Sequence, residues 1–181
     1  MVPFTTAPDG PIPSQGETPM PQVSTVPPEA LPQIPSALQV EHRVIHEALL
    51  RATKAPGDIG TAARELAGAL HDHFVREEEI ALPPLGLLAA LARGEFTPEM
   101  RAVLPMTEAL RAELPRMLDE HQAIHAATRR LGEVARKAGN AEVQQLAEAL
   151  ALHAQSEEEV FYPAALLVGE VVESRSQAHG S

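Results

Sequence analysis

The chain has 181 residues, enough for one ordinary domain with some extra length; 44% are hydrophobic but only 3% aromatic, so its core must be built from Leu, Ala, Val and Ile, which suits packed helices. It has no cysteine, which excludes disulfides, zinc–thiolate sites, iron–sulfur clusters and a cysteine nucleophile. The net charge of -11, with no basic run to offset it, argues against nucleic acid and anionic lipid as partners.

The first segment, residues 1–35, is a Pro-rich arm. Ten of the 17 prolines fall here, and proline lacks the backbone donor and disfavours helix in the residue before it, so the arm is expected to be extended and irregular. A tether, a partner-binding tail and a strap lying on a bundle are all open readings. Met1–Thr5 shows neither the basic nor the apolar region of a secretory leader, and no apolar run approaches the ~20 residues of a membrane span. The expectation is a soluble, cytoplasmic protein with no membrane partner.

From Ser36 the pattern becomes helical. Ser36 with Gln39 reads as a capping box, followed by the stripe Leu38, Ile45 and Leu49 until Lys54-Ala55-Pro56-Gly57 breaks it. A second helix starts near Asp58 or Thr61 and runs through Leu66, Leu70 and Phe74 to Leu82-Pro83-Pro84. Residues 85–113 read as a connection with a short apolar helix and a Thr97-Pro98-Glu99 start signal. A third long helix is expected from Leu114-Pro115 to Gly139. A fourth begins at Asn140 and meets Pro163, with helix continuing through Val172 and a polar tail over 174–181. The fold class is therefore all-α: an up-down-up-down four-helix bundle over 36–173, made of hairpins at about 36–84 and 114–163.

The two hairpins repeat one another. Glu41-His42-Arg43-Val44-Ile45-His46 matches Glu120-His121-Gln122-Ala123-Ile124-His125, 79 residues later. His73, Glu77-Glu78-Glu79-Ile80 and Pro83 match His153, Glu157-Glu158-Glu159-Val160 and Pro163, 80 residues later. Residues at i and i+4 share a helix face, with Cβ atoms about 6 Å apart. His42 with His46, His73 with Glu77, His121 with His125 and His153 with Glu157 thus form four pairs that four helices would aim at a common axis. A lone histidine on a helix is ordinarily a surface or satisfied core group. Six of eight histidines at matched positions are not, because burying them unpartnered would cost about 1–3 kcal/mol each. Imidazoles with carboxylates suit iron or another divalent transition metal and suit Mg or Ca poorly.

In order and spacing these motifs resemble the hemerythrin-like (HHE cation-binding) domain over roughly residues 37–166. The resemblance implies a four-helix bundle holding two non-haem iron ions, bridged by two carboxylates and an oxo or hydroxo group. Carried over, His42, His73, His121, His125 and His153 match the terminal imidazole ligands, and Glu77 and Glu157 the bridging carboxylates. His46 is taken as a further ligand from the repeat, with a place behind the ligands or on the open helix face as the alternative. If His46 and His125 both bind, neither iron keeps a vacant position. Glu78 and Glu158 follow the bridging glutamates directly, which leaves the register open by one residue. The ferritin-like alternative uses Glu-x-x-His pairs that this chain lacks at matched places. The implied activity is binding, sensing or turning over O2, peroxide or NO; the alternative is an iron-binding or iron-sensing module whose folded state is read by a partner protein through the arm. His71, opposite Ala151, and His179 are assigned no role. Tyr162 reads as packing, with a hydrogen bond to the site as the sharper reading.

Overall fold

The computed structural model describes residues 32–178. The chain forms α1 (Ser36–Thr53), α2 (Gly57–Arg76), a short α3 (Leu88–Ala92), α4 (Leu104–Lys137), α5 (Ala141–Ser156) and α6 (Tyr162–Ala178), with no strand among the described residues. Neighbours pack as α1 on α2, α2 on α4, α4 on α5 and α5 on α1, which closes the bundle into a ring. The Pro-rich arm lies outside the described residues up to residue 31, as does His179.

Local chemistry sets most boundaries. Gly57 (φ 69°) and Gly139 (φ 67°) take the left-handed turns that β-carbons disfavour, and they end the two inter-helix loops. Asn140 caps α5 by accepting the backbone N–H of Val143 at 3.1 Å. The expected capping box at Ser36 does not form. Pro35 occupies the cap, Ser36 makes no cap bond, and Gln39 instead donates to the Ile34 carbonyl at 2.9 Å.

The third long helix starts ten residues earlier than its sequence suggests. It opens at Leu104, with a proline in its first turn, and runs 34 residues straight through Pro115. Pro115 leaves the Arg111 carbonyl without its helical donor, but both residues are exposed, so that carbonyl is open to solvent rather than buried unpaired. The start signal at Thr97-Pro98 opens a 3-10 turn, Pro98–Val103, that feeds this helix. At the other end, α6 continues to Ala178, through most of the expected polar tail.

Along each long helix an apolar layer, a polar position and a second apolar layer follow in turn. Ile45, Leu49, Leu66, Leu70, Ile124, Leu131 and Leu150 make one cluster; Ala81, Leu82, Leu85, Leu110, Met117, Tyr162 and Ala165 make the other. His42, His73, His121 and His153 lie between them, all buried. Two packed layers therefore hold the imidazole layer rigidly, one on each side. Among the described residues no helix is long and apolar enough to cross a membrane.

Candidate metal centre

Two π-helical turns build the site. α2 gives way to a π turn over Glu77–Ala81 and α5 to one over Glu157–Phe161, each closed by a bond five residues back to the carbonyl of its first glutamate. Each ends two residues before a proline, Pro83 or Pro163, whose missing N–H and bulky ring disfavour an ordinary α turn at this point. A π turn inserted in a helix commonly marks a functional site, because it re-aims one side chain. Here it turns Glu77 and Glu157 inward to complete burial (0% and 1% exposed) and leaves Glu78 and Glu158 outside. The inward-facing members of the two acidic runs are thus Glu77 and Glu157.

The buried side chains form two adjoining groups. His73, Glu77, His121 and Glu157 make one; His42, His153 and Glu157 make the other. Glu157 belongs to both: its Oε1 lies 2.8 Å from His153 Nε2 and 3.5 Å from His42 Nε2, and its Oε2 lies 3.6 Å from His121 Nε2. In the first group His73 Nε2 is 3.4 Å from Glu77 Oε1 and 2.7 Å from His121 Nε2.

Each imidazole is backed by an outer carboxylate on its Nδ1. Glu78 stands 3.4 Å from His42, Glu120 3.1 Å from His73, and Glu158 2.8 Å from His121, all as hydrogen bonds; Glu41 lies 3.3 Å from His153 Nδ1. At His42, His73 and His121 the carboxylate accepts, so the Nδ1 it faces carries the proton and the Nε2 lone pair points into the site; Glu41 approaches His153 Nδ1 without a hydrogen bond. The outer carboxylates obey the repeat: Glu41 and Glu120 precede the first histidines, and Glu78 and Glu158 follow the inner glutamates. That signal was visible in the duplicated motifs, but only the register of the π turns gives these glutamates their role.

The residues present fit a metal ion. His42 Nε2, His153 Nε2, Glu77 Oε2 and Glu157 Oε1 are buried and have no hydrogen-bond partner. The facing Nε2 atoms of His73 and His121 present two lone pairs to each other at 2.7 Å, which is repulsive unless a cation or a proton lies between them. With protein groups alone, protons fill this role. Burial pulls His153 down, but its contacts with Glu157 outweigh that and hold it at about 9. Burial pushes Glu157 up, and its close approaches to His153 and His42 bring it down to about 2. Glu77 is raised, by burial and then by the Glu157 charge, and His121 is lowered, by burial and then by His73. Imidazole and carboxylate together are the donor set of transition metals rather than of Mg or Ca.

Two of the eight expected ligands lie elsewhere. His46 is exposed and belongs to no group; His125 is half-buried, and its Nε2 meets Glu158 Oε1 at 3.2 Å in a third, peripheral group with His121. Helix geometry explains both. The buried stripe of α1 runs through His42, Ile45, Leu49 and Ala52, and a residue four after His42 falls about 80° from its centre at 100° per residue. The same offset separates His125 from the stripe through His121, Ile124, Thr128 and Leu131. Sharing a face at i, i+4 does not place both residues at its middle.

Tyr162, expected to be packing, is buried at 1%. Its hydroxyl donates to Glu77 Oε1 in a very short bond and lies 3.1 Å from His121 Nε2 and 3.5 Å from His73 Nε2. Its repeat counterpart is Leu82, so the duplicated motif gave no sign of it. On the other side, Phe74 stacks on His42 with ring centroids 4.7 Å apart.

Neither the curated proteins nor the solved structures compared with this chain include a match. The family model of the hemerythrin HHE cation binding domain matches residues 33–165, which span the whole ring of helices and both buried histidine–glutamate groups. This chain belongs to the hemerythrin HHE cation binding domain family.

Proposed function

We propose that the chain is a non-haem di-iron protein whose binuclear centre binds, senses or turns over O2, peroxide or NO. The observation that carries this reading is the matched set of four buried imidazoles, each with its Nε2 turned inward and its Nδ1 against a carboxylate, around two buried glutamates. Outer carboxylates of this kind fix the tautomer and raise the basicity of a metal-bound imidazole. His73, Glu77 and His121 would hold one ion and His42 and His153 the other, with Glu157 between them.

Bound iron supplies the redox chemistry and the position for a small ligand. The protein's own residues supply the rest. Six inner ligands shared by two ions leave coordination positions unfilled, and the exposed His46 is not needed to close them. Phe74 and the two apolar layers keep bulk water from the centre, which favours a small neutral guest over a charged one. The centre is poor in negative ligands, with two inner carboxylates for four imidazoles, and this stabilises ferric iron less than a carboxylate-rich bundle does.

The test is optical. Protein loaded with ferrous iron without oxygen is exposed separately to air, peroxide and NO, and the oxidised form to azide. A new absorption band with at least one of these supports the reading. An iron-loaded protein whose spectrum responds to none of them contradicts it.

A further inference from the structure

The repeat makes the two metal positions equivalent in their histidines and glutamates, and two aromatic residues break that equivalence. Tyr162 stands where the first half has Leu82, and Phe74 where the second half has Ala154. The Tyr162 hydroxyl is in the group of His73, Glu77 and His121, whereas Phe74 lies against His42 and, edge-on at 6.2 Å, against His153.

We propose that the Tyr162 phenol oxygen is a further protein ligand at the His73–Glu77–His121 position, so that one ion is bound by a phenolate and the other is not. The inference rests on the di-iron reading above. Ligand atoms about 2.0–2.2 Å from one transition-metal ion, in tetrahedral or octahedral geometry, lie roughly 2.7–3.6 Å from each other. The separations here are of that kind: 2.7 Å between His73 Nε2 and His121 Nε2, 3.4 Å between His73 and Glu77, and 3.1 and 3.5 Å from the Tyr162 oxygen to the two imidazoles. The oxygen therefore stands at ligand-to-ligand distance from both imidazoles, while its very short contact with Glu77 Oε1 must open when an ion enters. Packing alone does not require this, because Leu82 fills the matching place in the other half and is equally buried.

On coordination the Tyr162 O–H bond is exchanged for an O–metal bond and one proton leaves to solvent; no electron moves. An anionic oxygen donor favours the higher oxidation state, so the two positions differ in how readily they hold ferric iron.

The chain contains a single tyrosine, so a tyrosinate signal from the purified protein has one source. Wild type and Tyr162→Phe are loaded with ferrous iron, oxidised in air, and compared by resonance Raman and by iron analysis. The expected result is ring modes of an iron-bound tyrosinate in the wild type, absent in the variant, with two iron ions per chain in the wild type. Two ferric ions per chain without those modes overturns the proposal and leaves the di-iron reading standing. Failure of the wild type to retain iron overturns both, and the iron analysis tells the two failures apart.

Discussion

Glu120 on α4 lies 3.1 Å from Nδ1 of His73 on α2, so the second duplicated half orients a buried imidazole of the first. Glu41 and His153 make the reciprocal approach at 3.3 Å. Each half thus depends on the other for the aim of one histidine. Glu120→Gln removes the charge that fixes the His73 tautomer while keeping the shape. Metal affinity, measured by competition with a chelator, should fall about 10–100-fold, the usual cost of losing such a partner. An unchanged affinity would show that the contact is incidental.

The exposed and buried histidines should separate cleanly. His46→Ala should leave metal content and affinity unchanged, because His46 is outside every ligand group. His42→Ala and His153→Ala each remove an inner nitrogen and should weaken one position by more than about a hundredfold, beyond the effect of an outer partner. Metal analysis after passage over a chelating resin measures both. Loss of metal in His46→Ala would contradict the assignment.

The bundle and the convergence of histidines and glutamates inside it were legible in the sequence, because duplicated spacing and 3.6-residue periodicity survive as pattern. Three features were not. The i, i+4 rule grouped His46 with His42 without saying where the buried stripe was centred. Pro115 read as a helix start because a proline inside an exposed helix face looks the same in sequence as one in a first turn. Tyr162 read as packing, with the hydrogen bond to the site only as the alternative, because it is the member of a repeated pair that differs, and a search for repeats finds what is shared.

Metal affinity should rise with pH. In the metal-free protein the folded-state value of His153, about 9, lies above its ordinary 6.5. The His153–Glu157 pair therefore stabilises the metal-free fold fully between about pH 4.5 and 6.5; the Glu157 contribution is lost as pH falls towards 2 and the His153 contribution as pH rises through 9. A metal ion must displace that proton, so its affinity should increase by about tenfold per pH unit over this window. Chelator competition at several pH values reads the slope; a flat or falling profile would mean that His153 is not displaced from its proton.

The scaffold can be weakened without touching the ligands. A β-carbon at Gly169 on α6 would overlap the Thr107 side chain on α4, with Thr107 Cβ 2.8 Å away and its hydroxyl nearer still. Thr107 is β-branched and buried, so it cannot swing aside. Gly169→Ala should lower the unfolding free energy by about 1–3 kcal/mol, the usual cost of overpacking, while metal content per folded chain stays the same. Denaturant unfolding with metal analysis checks both halves of this expectation.

The shared carboxylate of Glu157 gives the most direct test, because its two oxygens face both groups. Wild type and Glu157→Ala, loaded with ferrous iron without oxygen and freed of loosely held metal, are compared by iron analysis. Two iron ions are expected per wild-type chain, with iron lost from both positions in the variant and helix content retained. A wild type that holds no stoichiometric iron, or a variant that keeps both ions, would contradict that expectation.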